Sequence, residues 1–157
     1  MIEMYTDGAA KGNPGPGGFG VILRYGRYEK EISGGYRRTT NNRMELMAVI
    51  AGLEALNKED LDVTVYSDSK YVVNAIEKKW IYGWMKKGFA GKKNSDLWMR
   101  LMRAVAKHHV KFVWVRGHVG HPENERCDQL AVEASEMPGL KADEYFEANE
   151  KGKEGIF

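Results

Sequence analysis

Short apolar runs broken by turns open the chain, and longer mixed segments follow. The run from Ile2 to Thr6 predicts a first strand, with a loop rich in Gly and Pro after it (Lys11 to Gly18). Gly18 to Tyr25 and Tyr28 to Tyr36 predict two more strands, joined around Gly26 and Arg27 as an antiparallel meander. From about Asn42 to Leu56 apolar residues recur on almost every side, which predicts a buried helix capped by Asn41 or Asn42. Asp62 to Ser67 reads as a fourth strand, and Ser69 can cap a helix running to about Glu77. Lys79 to Lys86 predicts a short helix, Gly88 to Asn94 a loop, and Ser95 to Lys107 another helix. Lys111 to Arg116 predicts a fifth strand, Gly117 to Asn124 a loop, and a final helix ends near Met137, where Pro138 and Gly139 stop it. Three strands in succession, then strands alternating with helices, imply an α/β fold with a mixed sheet flanked by helices.

Four acids interrupt this apolar pattern. Asp7 ends the first strand, Asp68 follows the fourth, Glu45 lies inside the apolar helix and Asp128 lies beside Leu130 and Ala131. Burying an unpaired carboxylate is costly, so such positions call for a reason. Taken singly, Asp7 reads as a turn corner, Asp68 as a helix cap and the other two as solvated charges. Taken together they suggest one site, provided the first and fourth strands are adjacent and parallel. Oxygen-only ligands select a hard cation such as Mg²⁺ or Mn²⁺.

The 157-residue length suits one domain, residues 1–139, followed by a polar tail, residues 140–157, expected to be loosely held. Neither a signal peptide nor a membrane-spanning run is readable, and Cys127 is the single cysteine, so a reducing, cytoplasmic setting is expected. The net charge of +2 hides a basic stretch from Lys70 to Lys107, where ten basic residues face two acids. Tyr71, Trp80, Tyr82, Trp84, Phe89 and Trp98 are interleaved there. Cations for phosphates and flat rings for sugars and bases describe a nucleic-acid surface. Trp98 falls on an apolar stripe with Leu101 and Met102 and reads as core, whereas Trp80 and Trp84 beside Lys79, Lys86 and Lys87 read as contacts.

Other motifs point elsewhere and fail. Gly15, Gly17 and Gly20 match a dinucleotide-binding spacing, but a strand-like run follows where that motif requires a helix. His118, His121 and Cys127 lack the ligand number of a structural zinc site. His118 lies between Gly117 and Gly120, where an indifferent exposed histidine and a proton shuttle working near neutrality are both open readings. A polar cluster, Thr39, Thr40, Asn41, Asn42 and Arg43, precedes Glu45; capping alone explains one Asn, and the two Asn and two Thr also suit contacts to phosphates and sugar 2′-hydroxyls.

Four stretches then carry a family resemblance: YTDGAAKGNPGPGGFG (5–20), RTTNNRMELMA (38–48), YSDSKYV (66–72) and VRGHVGHPENERCDQLA (115–131). In them the chain resembles type 1 ribonuclease H, the bacterial form that cleaves RNA in RNA–DNA hybrids. The resemblance implies a ribonuclease H-like fold. Its five-stranded mixed sheet has the first three strands antiparallel and the first, fourth and fifth parallel. It implies a carboxylate site of Asp7, Glu45, Asp68 and Asp128 holding two Mg²⁺ ions, with Mn²⁺ as a substitute, and His118 as the mobile-loop histidine. Asn13, Asn41 and Asn42 take hybrid-contacting positions, and Thr40 and Asn94 those that touch a DNA-strand phosphate. Lys78 to Lys93, including Trp80, Trp84, Lys86 and Lys87, resembles a basic protrusion that grips the DNA strand. Lys70 stands where the family commonly has Gln, and there a lysine can reach a phosphate. A monomer cleaving hybrids with little sequence preference, leaving 5′-phosphate and 3′-hydroxyl ends, is the expectation.

Overall fold

A computed structural model describes residues 1–117 and 120–154. Among them the chain forms strands β1 (Ile2–Ala10), β2 (Gly15–Tyr25), β3 (Tyr28–Thr39), β4 (Asp62–Ser67) and β5 (His109–Trp114). The helices are α1 (Asn41–Glu54), α2 (Lys70–Glu77), α3 (Trp80–Lys86), α4 (Ser95–Val105), α5 (Pro122–Ser135) and α6 (Glu144–Glu154). One sheet has the order β3-β2-β1-β4-β5. β1, β2 and β3 pair antiparallel, while β4 pairs parallel with both β1 and β5, which is the expected mixed topology. No helix among the described residues is long and apolar enough to cross a membrane.

Neighbouring residues of a strand face opposite sides of the sheet, so two layers of helix can be served at once. The larger core lies on the α1 side, where Met4, Val21, Leu46, Ile50, Val65 and Trp98 are buried together. α1 lies between the sheet and α4, which explains why its sequence is apolar on nearly every side. Each fully buried aliphatic side chain there contributes roughly 1.5–3 kcal/mol. On the other face α5 covers Tyr5 and Ile22, packing its own Cys127 against them.

Several boundaries differ from the sequence expectation. β1 continues to Ala10 instead of ending at Thr6, because β2 pairs with it as far as Ala10↔Gly17. Gly15, Gly17 and Gly18 of the expected loop therefore stand within β2, and only Gly12 lies in the connection. Thr40, not an asparagine, caps α1, its hydroxyl accepting from Arg43 N at 3.3 Å. β5 lies two residues earlier than expected, in register with β4 from Asp62↔His109 to Ser67↔Trp114.

The segment beyond Gly139 is also more than a polar tail. Arg37 N donates to Lys141 O at 2.9 Å, Arg37 and Arg38 pair with Glu147 and Glu150, and α6 packs near β3. Asp143 is buried and accepts from Arg43 Nε at 2.7 Å. That buried partner is what holds the segment in place, and its composition alone conceals it.

Candidate metal centre and nucleic-acid interface

Parallel pairing of β1 with β4 ends at Tyr5↔Tyr66. Beyond that point β1 keeps β2 on one side and has lost β4 on the other. Asp7 stands in this opening, paired with Gly20 of β2, and Asp68 directly follows the last residue of β4. Asn124 of α5 spans the gap. Its Nδ2 donates to the carbonyls of Thr6 at 3.4 Å and Tyr66 at 3.2 Å, which fixes the two strand ends relative to each other.

The two helices reach this edge because the strands offer no side chain to hold them off. A β-carbon on Gly8 would lie 2.4 Å from the backbone nitrogen of Glu45, and one on Gly20 would lie 2.3 Å from the carbonyl oxygen of Cys127. α1 and α5 thus press on opposite faces of the sheet beside Asp7, and bring Glu45 and Asp128 to the same edge.

Carboxylate oxygens of Asp7, Glu45 and Asp68 lie within 4.8 Å of one another. Asp7 is 4% exposed; Glu45 and Asp68 are half-buried. Asp128, half-buried on α5, falls outside this group of three, yet it is close enough for its charge to act on Asp7. Burial, then the charges of Asp68 and Asp128, push the Asp7 carboxyl up to about 8. Burial, then Asp7 and Asp68, hold Glu45 well above the usual carboxylate range.

Asp7 accepts from Gly8 N at 2.9 Å. The Asp7 and Glu45 carboxyl groups lie side by side, where a proton on one of them relieves the repulsion between two carboxylates. Glu45 Oε1 is buried with no hydrogen-bond partner among the described residues. An all-oxygen cluster with raised proton affinity and an orphaned buried oxygen suits a hard divalent cation, which would replace that proton.

The polar residues ahead of Glu45 form one continuous face. Asn13 Oδ1 accepts from Asn41 N at 3.0 Å, and Asn41 Oδ1 accepts from Ala10 N, so the β1–β2 connection is tied to the start of α1. Asn13, Asn41 and Asn42 are exposed and Thr40 is half-buried. A cavity of about 720 Å³ opens beside them, lined by Thr40, Asn42, Arg43, Lys92, Lys93 and Asn94 among others.

Along the basic stretch Trp80 is 49% exposed with Lys78 Nζ 5.3 Å from its ring, and Lys86 and Lys87 are exposed. Lys70 is exposed and sits 4.9 Å over the ring of Trp114. Trp84 differs from Trp80: it is half-buried, edge-on to Trp98 at 5.5 Å, with Lys92 Nζ 4.6 Å over its ring. Trp98 is core, as its stripe implied. His118 lies outside the described residues.

Two residues carry more than the sequence reading gave them. Arg43, named there only as a member of the polar cluster, is 2% exposed and forms ion pairs with Asp96 at 2.8 Å and Asp143 at 2.7 Å. Its signal was a charge within an apolar helix, the same signal that singled out Glu45. Asn124, passed over as a loop end, is the strand clamp, and nothing in its local sequence announces that.

The ribonuclease H family model, described as RNase H, matches residues 1–136. A ribonuclease H of Desulforamulus reducens is 58% identical over 147 residues, covering 90% of this chain and 92% of that protein. The crystal structure of LC9-RNase H1, a type 1 RNase H with the type 2 active-site motif, superposes with a TM-score of 0.77 at 33% identity, over 85% of this chain and 71% of that one. LC11-RNase H1, solved in complex with RNA/DNA hybrid, gives a TM-score of 0.65 at 28% identity, over 85% of this chain and 96% of that one. The chain belongs to the type 1 ribonuclease H family, whose members are metal-dependent endoribonucleases.

Proposed function

We propose that the protein hydrolyses the RNA strand of RNA–DNA hybrids with two divalent ions, giving 5′-phosphate and 3′-hydroxyl ends. The observation that carries this reading is the packed cluster of Asp7, Glu45 and Asp68 on the edge where β1 and β4 part. Asp7, the most buried of the acids, is assigned as the carboxylate shared by both ions, with Glu45, Asp68 and Asp128 completing the set. Mg²⁺ ions held by these carboxylates would supply the charge that acidifies an attacking water and stabilises the leaving 3′-oxygen, and Mn²⁺ would substitute for them.

The chain's own residues do the rest. Asn13, Asn41 and Asn42 present amides to 2′-hydroxyls, which distinguish RNA from DNA at the cleaved strand. Thr40, Asn94 and Lys70, with Trp80, Trp84, Lys86 and Lys87, hold the DNA strand through phosphates and ring contacts. None of these groups reads base edges, so sequence preference is weak. His118 serves proton transfer or product release.

The test is a labelled hybrid incubated with Mg²⁺, Mn²⁺ or EDTA, with product ends identified and duplex DNA run alongside. Cleavage confined to the RNA strand, abolished by EDTA and by Asp7→Asn while hybrid binding persists, is the expected result. Near-normal cleavage by Asp7→Asn sinks the metal assignment, and preferential cleavage of duplex DNA assigns the site to a DNA nuclease of the same fold.

A further inference from the structure

Asn94 begins α4 from a left-handed backbone, φ 64°, and faces the cavity shared with Thr40, Lys92 and Lys93. Its carboxamide is held at both ends. Arg43 Nη1 donates to Asn94 Oδ1 at 3.3 Å, and Asn94 Nδ2 donates to the Tyr71 hydroxyl at 3.0 Å. A guanidinium has donors only, so the amide atom turned towards Arg43 must be the oxygen. The reversed amide would set donor against donor. The nitrogen therefore faces Tyr71, which takes one of its two hydrogens and leaves the second for the cavity.

The two holders are themselves fixed. Arg43 is clamped by Asp96 and Asp143. The Tyr71 hydroxyl also accepts from Trp98 Nε1 at 3.0 Å, and its ring lies 5.3 Å from that buried indole. A phenylalanine at 71 would fill the same space but accept neither bond.

We propose that Tyr71 and Arg43 are positioning residues for the hybrid: they lock the Asn94 carboxamide so that one N–H is presented to a phosphate oxygen of the DNA strand. The assignment rests on the function proposed above and adds to it the device that orients one contact. Removing the Tyr71 oxygen leaves the amide anchored at one end only, by Arg43, and loosens the direction of its N–H bonds without touching the carboxylate cluster. Substrate binding should then weaken while the chemical step is unaffected.

Steady-state cleavage of a labelled hybrid by Tyr71→Phe, Asn94→Ala and the double variant tests this. Tyr71→Phe should raise KM by about fivefold, the worth of one oriented hydrogen bond, with kcat unchanged. In the Asn94→Ala background the same change should add nothing further to KM. An unaltered KM, a matching fall in kcat, or a full additional increase in the double variant overturns the proposal in favour of a purely structural tyrosine. Asn94→Asp supplies a second check that keeps the Arg43 bond. Its carboxylate should raise KM above that of Asn94→Ala, and a KM at or below the alanine variant's overturns the proposal as well. Failure of the unmodified protein to cleave the hybrid defeats the function reading itself, and this assignment with it, before any variant is compared.

Discussion

Replacing Asp7 by Asn should stabilise the metal-free protein at alkaline pH while destroying its activity. The Asp7 carboxyl is raised from an ordinary carboxylate value to about 8, by burial first and then by Asp68 and Asp128. An acid raised in the folded state keeps its proton there while the unfolded chain has already lost it. Stability is therefore greatest below the unfolded value near 4 and declines until pH passes the folded value near 8. One such proton corresponds to about 1.4 kcal/mol per pH unit, so the decline reaches ~6 kcal/mol at most. Asparagine carries no charge at any pH in this window and removes that decline. It keeps the shape of the carboxyl and leaves Glu45 with one fewer negative neighbour. A gain of about 3 kcal/mol or more at pH 8.5 is expected, with little difference at pH 4.5. The assay is urea unfolding of both proteins in EDTA across that range. A parallel pH dependence in the two proteins would refute the account of the cluster as self-repelling. Added Mg²⁺ should close the gap by stabilising the unmodified protein, about 2.7 kcal/mol at a hundredfold excess over its dissociation constant, and should do much less for Asp7→Asn.

Gly8→Ala sets a β-carbon 2.4 Å from the Glu45 nitrogen, so α1 must shift; cleavage should fall by ~10²-fold with a stability loss of only about 1–3 kcal/mol, measured by single-turnover kinetics and thermal unfolding. Asp143→Ala takes one of two carboxylates from the buried Arg43 and should cost about 3 kcal/mol, a fall in Tm of roughly 6–12 °C; an unchanged Tm would mean α6 does not brace the domain. Lys86→Ala with Lys87→Ala should reduce the salt slope of hybrid binding by about one to two; an unaltered slope would remove the protrusion from the interface.

Much of this was legible from the chain. The sheet topology followed from strand order, and Asp7, Glu45 and Asp68 betrayed themselves as acids in apolar settings. What stayed hidden depends on long-range pairing. Asp128 looked equivalent to the other three, but its distance from them is set by how α5 lies on Gly18 and Gly20. Trp84 carries the same lysine-rich surroundings as Trp80, and only the packing of α3 against Trp98 separates a half-buried ring from an exposed one. The segment beyond Gly139 is polar throughout, and the role of Asp143 becomes visible only opposite Arg43, 100 residues earlier.

The strand made first is the centre of the sheet. Its neighbour β4 is paired across 61 residues, from Tyr5 to Tyr66, and the Asn124 clamp closes over 118. A growing chain that has emerged only as far as α1 holds Asp7 and Glu45, with β2 already there to pair with β1, but lacks β4, Asp68 and the Asn124 clamp. The repulsive carboxylate cluster is thus assembled only when the last long-range contacts close, and contacts of that separation form late in folding. Under the proposed function, divalent-ion binding then requires completion of the whole domain, and an unfinished chain is a poor nuclease by construction.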